Sequence, residues 1–261
     1  MPMEPFSSQK LRPLMDIAPG DMVCVMGAGG KATLMKRLIQ EMLDEPFPVI
    51  ITSTTNLHAL GVEDAPPVLL SEEGRAELQS VAQDWSGRGA VVWVEKKLPQ
   101  NMFRGLEARQ VEALHNSNFH GVMVVKTDGA RKRLIKAPGP SEPVVPEGAT
   151  HCVLVLGLSA IGRRADEKIV HRMETVRAIA GLGAGEVIGA NHLARLASHP
   201  DSYPSRFRKG AKRILYLSHC TSQEALQEAQ TIFEAVEDGI YDYLLTGDSV
   251  AGNFYSRGQD E

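Results

Sequence analysis

Residues 27–33 read Gly27-Ala28-Gly29-Gly30-Lys31-Ala32-Thr33, three glycines and a lysine within seven positions. Glycines free a backbone to turn successive N–H groups toward one point, and a lysine adds a mobile point charge. Such a turn binds phosphate when it joins a strand to a helix. The flanks supply both. Met22-Val23-Cys24-Val25-Met26 is a short apolar run with β-branched residues, and Leu34, Leu38, Ile39 and Met42 share one face of a helix from Ala32 to Leu43. Gly27, Gly29, Gly30, Lys31, Ala32 and Thr33 are therefore expected to hold the phosphates of a nucleotide, ATP or GTP. The competing reading is a tight turn that binds nothing.

The strict pattern has four residues between its first glycine and the Gly-Lys pair, then Ser or Thr. Here two residues separate Gly27 from Gly30, and Ala32 follows Lys31. Ala32 has no hydroxyl for Mg²⁺, so Thr33 is the expected substitute. Phosphate-loop enzymes also carry an acidic residue at the end of a second strand. The apolar run Gly121 to Val125, followed by Lys126-Thr127-Asp128, puts Asp128 in that place as the second metal ligand. Asp128-Gly129 equally suits a plain turn. Lys126, Arg131, Lys132, Arg133 and Lys136 place five basic residues in eleven positions, enough to line an anionic pocket. Lys132 reads as solvated; Arg131 and Lys136 are the better site candidates.

These residues need a scaffold. Val49 to Thr52, Ala90 to Val94, Gly121 to Val125, His151 to Leu156, Arg213 to Leu217 and Tyr243 to Thr246 read as strands. Glu72 to Trp85, Leu106 to Leu114, Thr175 to Ala180, Val187 to Ala197 and Ser222 to Val236 read as helices. Strands that are apolar throughout suit a parallel sheet covered on both faces. The expected fold is α/β, three layers, a mostly parallel sheet flanked by helices, in one domain over residues 1–261. The proline-rich stretch Thr127 to Thr150 is too long for an idle connection, so it reads as an ordered loop packed on the sheet. Gly252 to Glu261 reads as a loose tail.

Hydrophobic residues make up 43% of the 261, charged residues 23%, and the net charge is −4. That balance does not suggest a nucleic-acid partner. No signal segment and no stretch of about 20 apolar residues is visible, so neither secretion nor a membrane partner is expected, and the protein is expected to be cytoplasmic. Cys24, Cys152 and Cys220 have no zinc or disulfide spacing, and Cys24 and Cys152 read as core residues.

Four blocks together resemble the YqeC family, proteins assigned an accessory role to selenium-dependent molybdenum hydroxylases. They are the glycine loop at 27–33, similar to Gly-Ala-Gly-Gly-Lys-Thr-Thr; Thr52-Ser53-Thr54-Thr55; Asp128-Gly129-Ala130-Arg131 with Leu134-Ile135-Lys136-Ala137-Pro138 and Glu142-Pro143-Val144-Val145-Pro146; and Gly157 to Gly162 followed by Val170-His171-Arg172. The resemblance implies a P-loop NTPase-like fold and a part in maturing a molybdenum hydroxylase, with that enzyme or its cofactor as partner. It adds Thr54 to the ligand-binding residues and Asp128, Lys136, His171 and Arg172 to the catalytic ones, with Glu142 on a matching position. His171-Arg172 contacts phosphate or moves a proton, or else is a surface pair at a helix start.

Three departures bear on the chemistry. Ala32 replaces a hydroxyl, Lys126 stands where the family tends to have glutamate, and Ser218-His219-Cys220-Thr221 stands where it tends to have an Asn-Lys-x-Asp-like element. Two functions stay open: an NTPase or nucleotidyl or phosphoryl transferase using Mg²⁺, and a non-catalytic carrier of a nucleotide or phosphorylated pterin. A relic loop on a scaffold is a third.

Overall fold

The computed structural model describes residues 4–5, 10–58, 67–69, 89–100, 102–117 and 119–257. In chain order the elements are β1 (Glu4–Pro5), α1 (Leu11–Leu14), β2 (Met22–Gly27), α2 (Lys31–Met42), β3 (Val49–Ser53), β4 (Leu57–His58), β5 (Pro67–Leu69), β6 (Ala90–Val94), β7 (Lys96–Leu98), β8 (Met102–Arg104) and α3 (Ala108–His115). There follow β9 (Val122–Lys126), β10 (Ile135–Lys136), β11 (His151–Gly157), β12 (Val170–His171), α4 (Met173–Ala180), α5 (Ala190–Ser198), β13 (Lys212–Ser218), α6 (Gln223–Ala235), β14 (Tyr243–Asp248) and β15 (Asn253–Ser256).

One ten-stranded sheet runs β1-β15-β14-β13-β11-β2-β9-β3-β6-β5. The eight strands from β14 to β5 are parallel, and β15 and β1 extend the β14 edge antiparallel. The pleat explains the continuous apolar runs. In β2, Met22, Cys24 and Met26 face one core while Val23 and Val25 face the other; in β11, Cys152, Leu154 and Leu156 divide from Val153 and Val155 in the same way. The first core is closed by α3, α4, α5 and α6, through residues such as Val111, Val176, Leu193 and Phe233. The second is closed by α1 and α2, through Leu11, Leu34, Leu38 and Ile39. This is the expected three-layer α/β fold with a mostly parallel sheet. Cys24 and Cys152 are register partners and, like Cys220, buried free thiols.

The order of strands sets the site. The glycine-loop strand β2 lies between β9 and β11. Ligands of open parallel sheets bind at the carboxyl ends of such strands, and the glycine loop, Asp128 and Gly157 all lie there. A two-stranded parallel ribbon, β10 with β12, pairs Lys136 with His171.

Several expectations need correction. Residues 253–256 are not a tail but β15, paired with β14, because Phe254 is an apolar anchor only 3% exposed and the Arg37 guanidinium lies 5.4 Å from its ring centre. The helix read from Val187 begins at Ala190; Val187 is half exposed and bridges Arg164 in extended form. The helix expected over Glu72 to Trp85 lies outside the described residues.

Candidate functional site

Between β2 and α2 the chain makes three positive-φ glycine steps, Gly27 at 98°, Gly29 at 69° and Gly30 at 134°. Crowding also requires glycine at Gly29, where a Cβ would stand 2.7 Å from the Leu134 carbonyl oxygen and 2.8 Å from the Gly157 Cα. The turn is fixed from outside. The Ala28 N–H donates to the Val155 carbonyl at 2.9 Å, and the Ser218 hydroxyl donates to the Gly29 carbonyl. What remains is a row of donors. The N–H groups of Gly29, Gly30, Lys31, Ala32 and Thr33 have no acceptor among the described residues. They lead into α2, whose amino end carries the positive end of the helix dipole.

Lys31 is 6% exposed and folds back over this turn. Its ammonium donates to the Gly27 carbonyl and lies 2.9 Å from Asp128 Oδ1. The register of β9 against β2, Val25 with Lys126, carries Asp128 to this position. Asp128 is fully buried, and its Oδ2 accepts from Lys136 Nζ at 2.7 Å and from the Gly27 N–H at 3.2 Å. Lys136, also fully buried, donates to Glu142 Oε2 at 2.9 Å, and Arg172 Nη2 donates to the same oxygen at 2.8 Å. Arg172 is a left-handed residue, φ 62°, held by a further bond to the Ala137 carbonyl at 3.3 Å. A non-glycine residue in that region is uncommon and marks a place where the surroundings dictate the backbone. Lys126 completes the cluster, donating at 2.7 Å to Thr55 Oγ1 and to the Asn56 carbonyl. Four cations thus surround two carboxylates.

Burial would raise the Asp128 carboxyl, but the Lys31 and Lys136 ammoniums outweigh it and hold it below the usual carboxylate value. Glu142 behaves alike: burial pushes it up, and hydrogen bonds from Lys136 and Arg172 bring it lower still. Both contributions to stability are complete above the unfolded pKa and are lost as pH falls through the folded one. Stability should therefore fall steeply on acidification below about pH 4. Thermal melts at neutral and acid pH check this, and Asp128→Asn should flatten the dependence. Burial, with the Lys31 charge adding, lowers the Lys126 ammonium to about 8. Burial and then the charges of Arg172, Lys136 and Arg131 lower the His171 imidazole below its ordinary value.

The expected residues are therefore mostly gathered. Gly27, Gly29, Gly30, Lys31, Asp128, Lys136 and Arg172 lie in one connected cluster, with His171 beside Lys136 in the ribbon. Thr54 is committed elsewhere: its hydroxyl donates to the Val144 carbonyl at 2.8 Å, tying the proline-rich segment to the sheet. Arg131 is exposed at the tip of that segment, φ 48°. Ala32 is exposed and Thr33 half-buried. Thr33 and Asp128 do not present the hard oxygen set Mg²⁺ requires, because both Asp128 oxygens already face nitrogen cations. Among the described residues no group of three His, Cys, Asp or Glu side chains is placed to hold a metal.

Sequence reasoning missed three neighbours. Lys126 was counted among the basic residues that could line an anionic pocket but not chosen as a site residue, yet its charge reaches Lys31, Asp128 and Lys136. Ser218 touches the glycine loop through the Gly29 carbonyl. His219, left-handed at φ 61°, sits beside it with Nδ1 3.2 Å from Ser159 Oγ. The polar pair that ends the apolar strand β13 was the available signal. At the same end of the sheet, Cys220, Thr221, Gln223, Asp248 and Asn253 line a cavity of about 280 Å³. No helix among the described residues is long and apolar enough to cross a membrane.

Comparison with known proteins gives the chain a family. The chain is 22% identical over 227 residues to "Uncharacterized protein YqeC" of Escherichia coli (strain K12), covering 87% of each chain. No solved structure matches. The family described as YqeC protein matches residues 23–174, which contain the glycine loop, Asp128, Lys136, Glu142 and Arg172. The chain belongs to the YqeC family.

Proposed function

We propose that this chain is a P-loop accessory protein that binds a phosphate-bearing ligand, a nucleotide such as ATP or GTP or a phosphorylated pterin, in the maturation of a molybdenum hydroxylase. One observation carries the binding reading: five consecutive N–H groups, Gly29 to Thr33, that have no acceptor among the described residues, at the start of a 12-residue helix with Lys31 folded over them. Unpaired backbone donors and a helix dipole in one place favour an anion. Lys31 would leave the Gly27 carbonyl and Asp128 to meet the terminal phosphate, while the backbone holds the one before it. The cavity beside Cys220 and Asp248 offers room for a base or pterin ring. The accessory role is supported only by the resemblance of its sequence blocks to the family.

Between turnover and carriage, one observation favours carriage. Asp128 holds two ammonium groups, so the acid that would organise a metal for phosphoryl transfer is engaged. A carrier needs the anion cradle and no attacking group.

Equilibrium dialysis with labelled ATP, GTP and a pterin phosphate tests the reading. At least one should bind, and inorganic pyrophosphate should compete, since the cradle recognises phosphate first. No binding by any of them, and no effect of pyrophosphate, would defeat it. Affinity should also fall as pH rises from 7 to 9, because the nearby Lys126 loses its charge around its value of about 8. Lys126→Gln should bind more weakly at pH 7 and respond less to pH over that range.

A further inference from the structure

We propose that the Lys136 ammonium does the work that Mg²⁺ does in phosphate loops of the usual kind, so that this site takes its phosphate ligand free of metal. The inference rests on the phosphate-binding reading above and concerns which cation accompanies the phosphate.

In the usual site a divalent ion bridges phosphate oxygens, and an aspartate from a neighbouring strand helps to hold it. Here that aspartate already has two cationic neighbours, although its buried Oδ1 accepts no hydrogen bond among the described residues. Asp128 Oδ2 takes Lys136 at 2.7 Å and the Gly27 N–H at 3.2 Å, and Oδ1 faces Lys31 at 2.9 Å. Even with Lys31 moved to the ligand, a Mg²⁺ ion would find Oδ2 held by Lys136 and would need an octahedron of oxygens that the surrounding ammoniums do not supply. The other usual ligand is missing, because Ala32 carries no hydroxyl and is exposed.

The Lys136 side chain is held in a fixed place. Glu142 Oε2 accepts from it at 2.9 Å, and Arg172 fixes Glu142 from the far side at 2.8 Å. The backbone of Lys136 is set by pairing with His171 in the ribbon, and its carbonyl accepts from the Tyr203 hydroxyl at 3.3 Å. An ammonium has three N–H bonds. Two of them reach Asp128 and Glu142, and the third has no acceptor among the described residues. A fully buried lysine with a donor to spare, on the carboxylate that also holds Lys31, is placed to meet a phosphate oxygen.

The charge balance agrees. When Lys31 moves to the ligand, Asp128 loses one counter-cation and keeps Lys136. Its negative charge stays compensated, so it does not repel the incoming phosphate. In a site without Lys136, that compensation would fall to a divalent ion.

The test measures affinity of the full-length protein for inorganic pyrophosphate by calorimetry, in excess EDTA and in excess MgCl₂. Wild type should bind in EDTA, with no gain from Mg²⁺. Lys136→Met should bind about 10–100-fold more weakly in EDTA, the loss expected for a hydrogen bond to a charged group. Lys136→Arg keeps the charge and should retain most of the affinity. Wild-type affinity that drops about tenfold or more on chelation would overturn the proposal while leaving the phosphate site intact, and that arm needs no variant to fold. Folded Lys136→Met that binds like wild type in EDTA would overturn it too. No binding of pyrophosphate in either buffer would remove the phosphate-site reading and this inference with it.

Discussion

Asp128→Ala is expected to lower the melting temperature by roughly 10 °C. The residue is fully buried and compensates two buried ammonium groups, at 2.9 Å to Lys31 and 2.7 Å to Lys136. Removing one partner of a buried ion pair leaves uncompensated charge and costs about 3–5 kcal/mol. For a chain of this size each kcal/mol moves the midpoint by roughly 2–4 °C. The Gly27 N–H loses its acceptor in the same step, loosening the first residue of the glycine loop. A double variant, Asp128→Ala with Lys136→Met, should recover part of the loss because it removes one stranded charge. Thermal denaturation followed by circular dichroism measures both. A single variant that melts within about 2 °C of wild type, less than one kcal/mol, would contradict the buried network.

The second large effect is on binding. Lys31→Ala should lower affinity for any phosphate ligand by about 100-fold, since a hydrogen-bonded charge contact contributes about 1.5–3 kcal/mol. Its cost in stability should be smaller than that of Asp128→Ala, because Asp128 keeps Lys136 and the Gly27 N–H. The two variants should therefore separate the proposed roles, Asp128 in the architecture and Lys31 on the ligand. Binding isotherms beside melting curves show this split, and Lys31→Ala with wild-type affinity would remove Lys31 from the site.

Much of this was legible in the sequence because it depends on local spacing. A β-branched run, three glycines, a lysine and an amphipathic helix within about twenty residues can be read without knowing the rest of the chain. Apolar runs without alternation identified a sheet covered on both faces, and the two cores divide β2 and β11 residue by residue. Asp128 was placed by the strand before it.

The pairing of Asp128 with Lys136 was not legible. It depends on β10 joining β12, which are more than thirty residues apart and two residues long. A two-residue strand has no period to detect. Thr54 entered the ligand contacts only through the resemblance of Thr52-Ser53-Thr54-Thr55 to the family's threonine-rich stretch, and its hydroxyl is bonded to the Val144 carbonyl ninety residues away. Ser218 and His219 come to the glycine loop only because β13 is separated from β2 by β11 alone. Strand order is a long-range property. β15 escaped because a four-residue strand near the end of a chain reads like a tail until its partners, β14 and β1, are known.

The measurement that bears most directly on phosphate binding is the melting temperature of wild type and Lys31→Ala with ATP, GTP, CTP and a pterin phosphate. A ligand at a hundredfold over its Kd stabilises the folded state by about 2.7 kcal/mol, a rise of roughly 5–10 °C here. At least one ligand should produce that rise in wild type and lose most of it in Lys31→Ala. No rise with any of them, or the same rise in both proteins, would contradict the account.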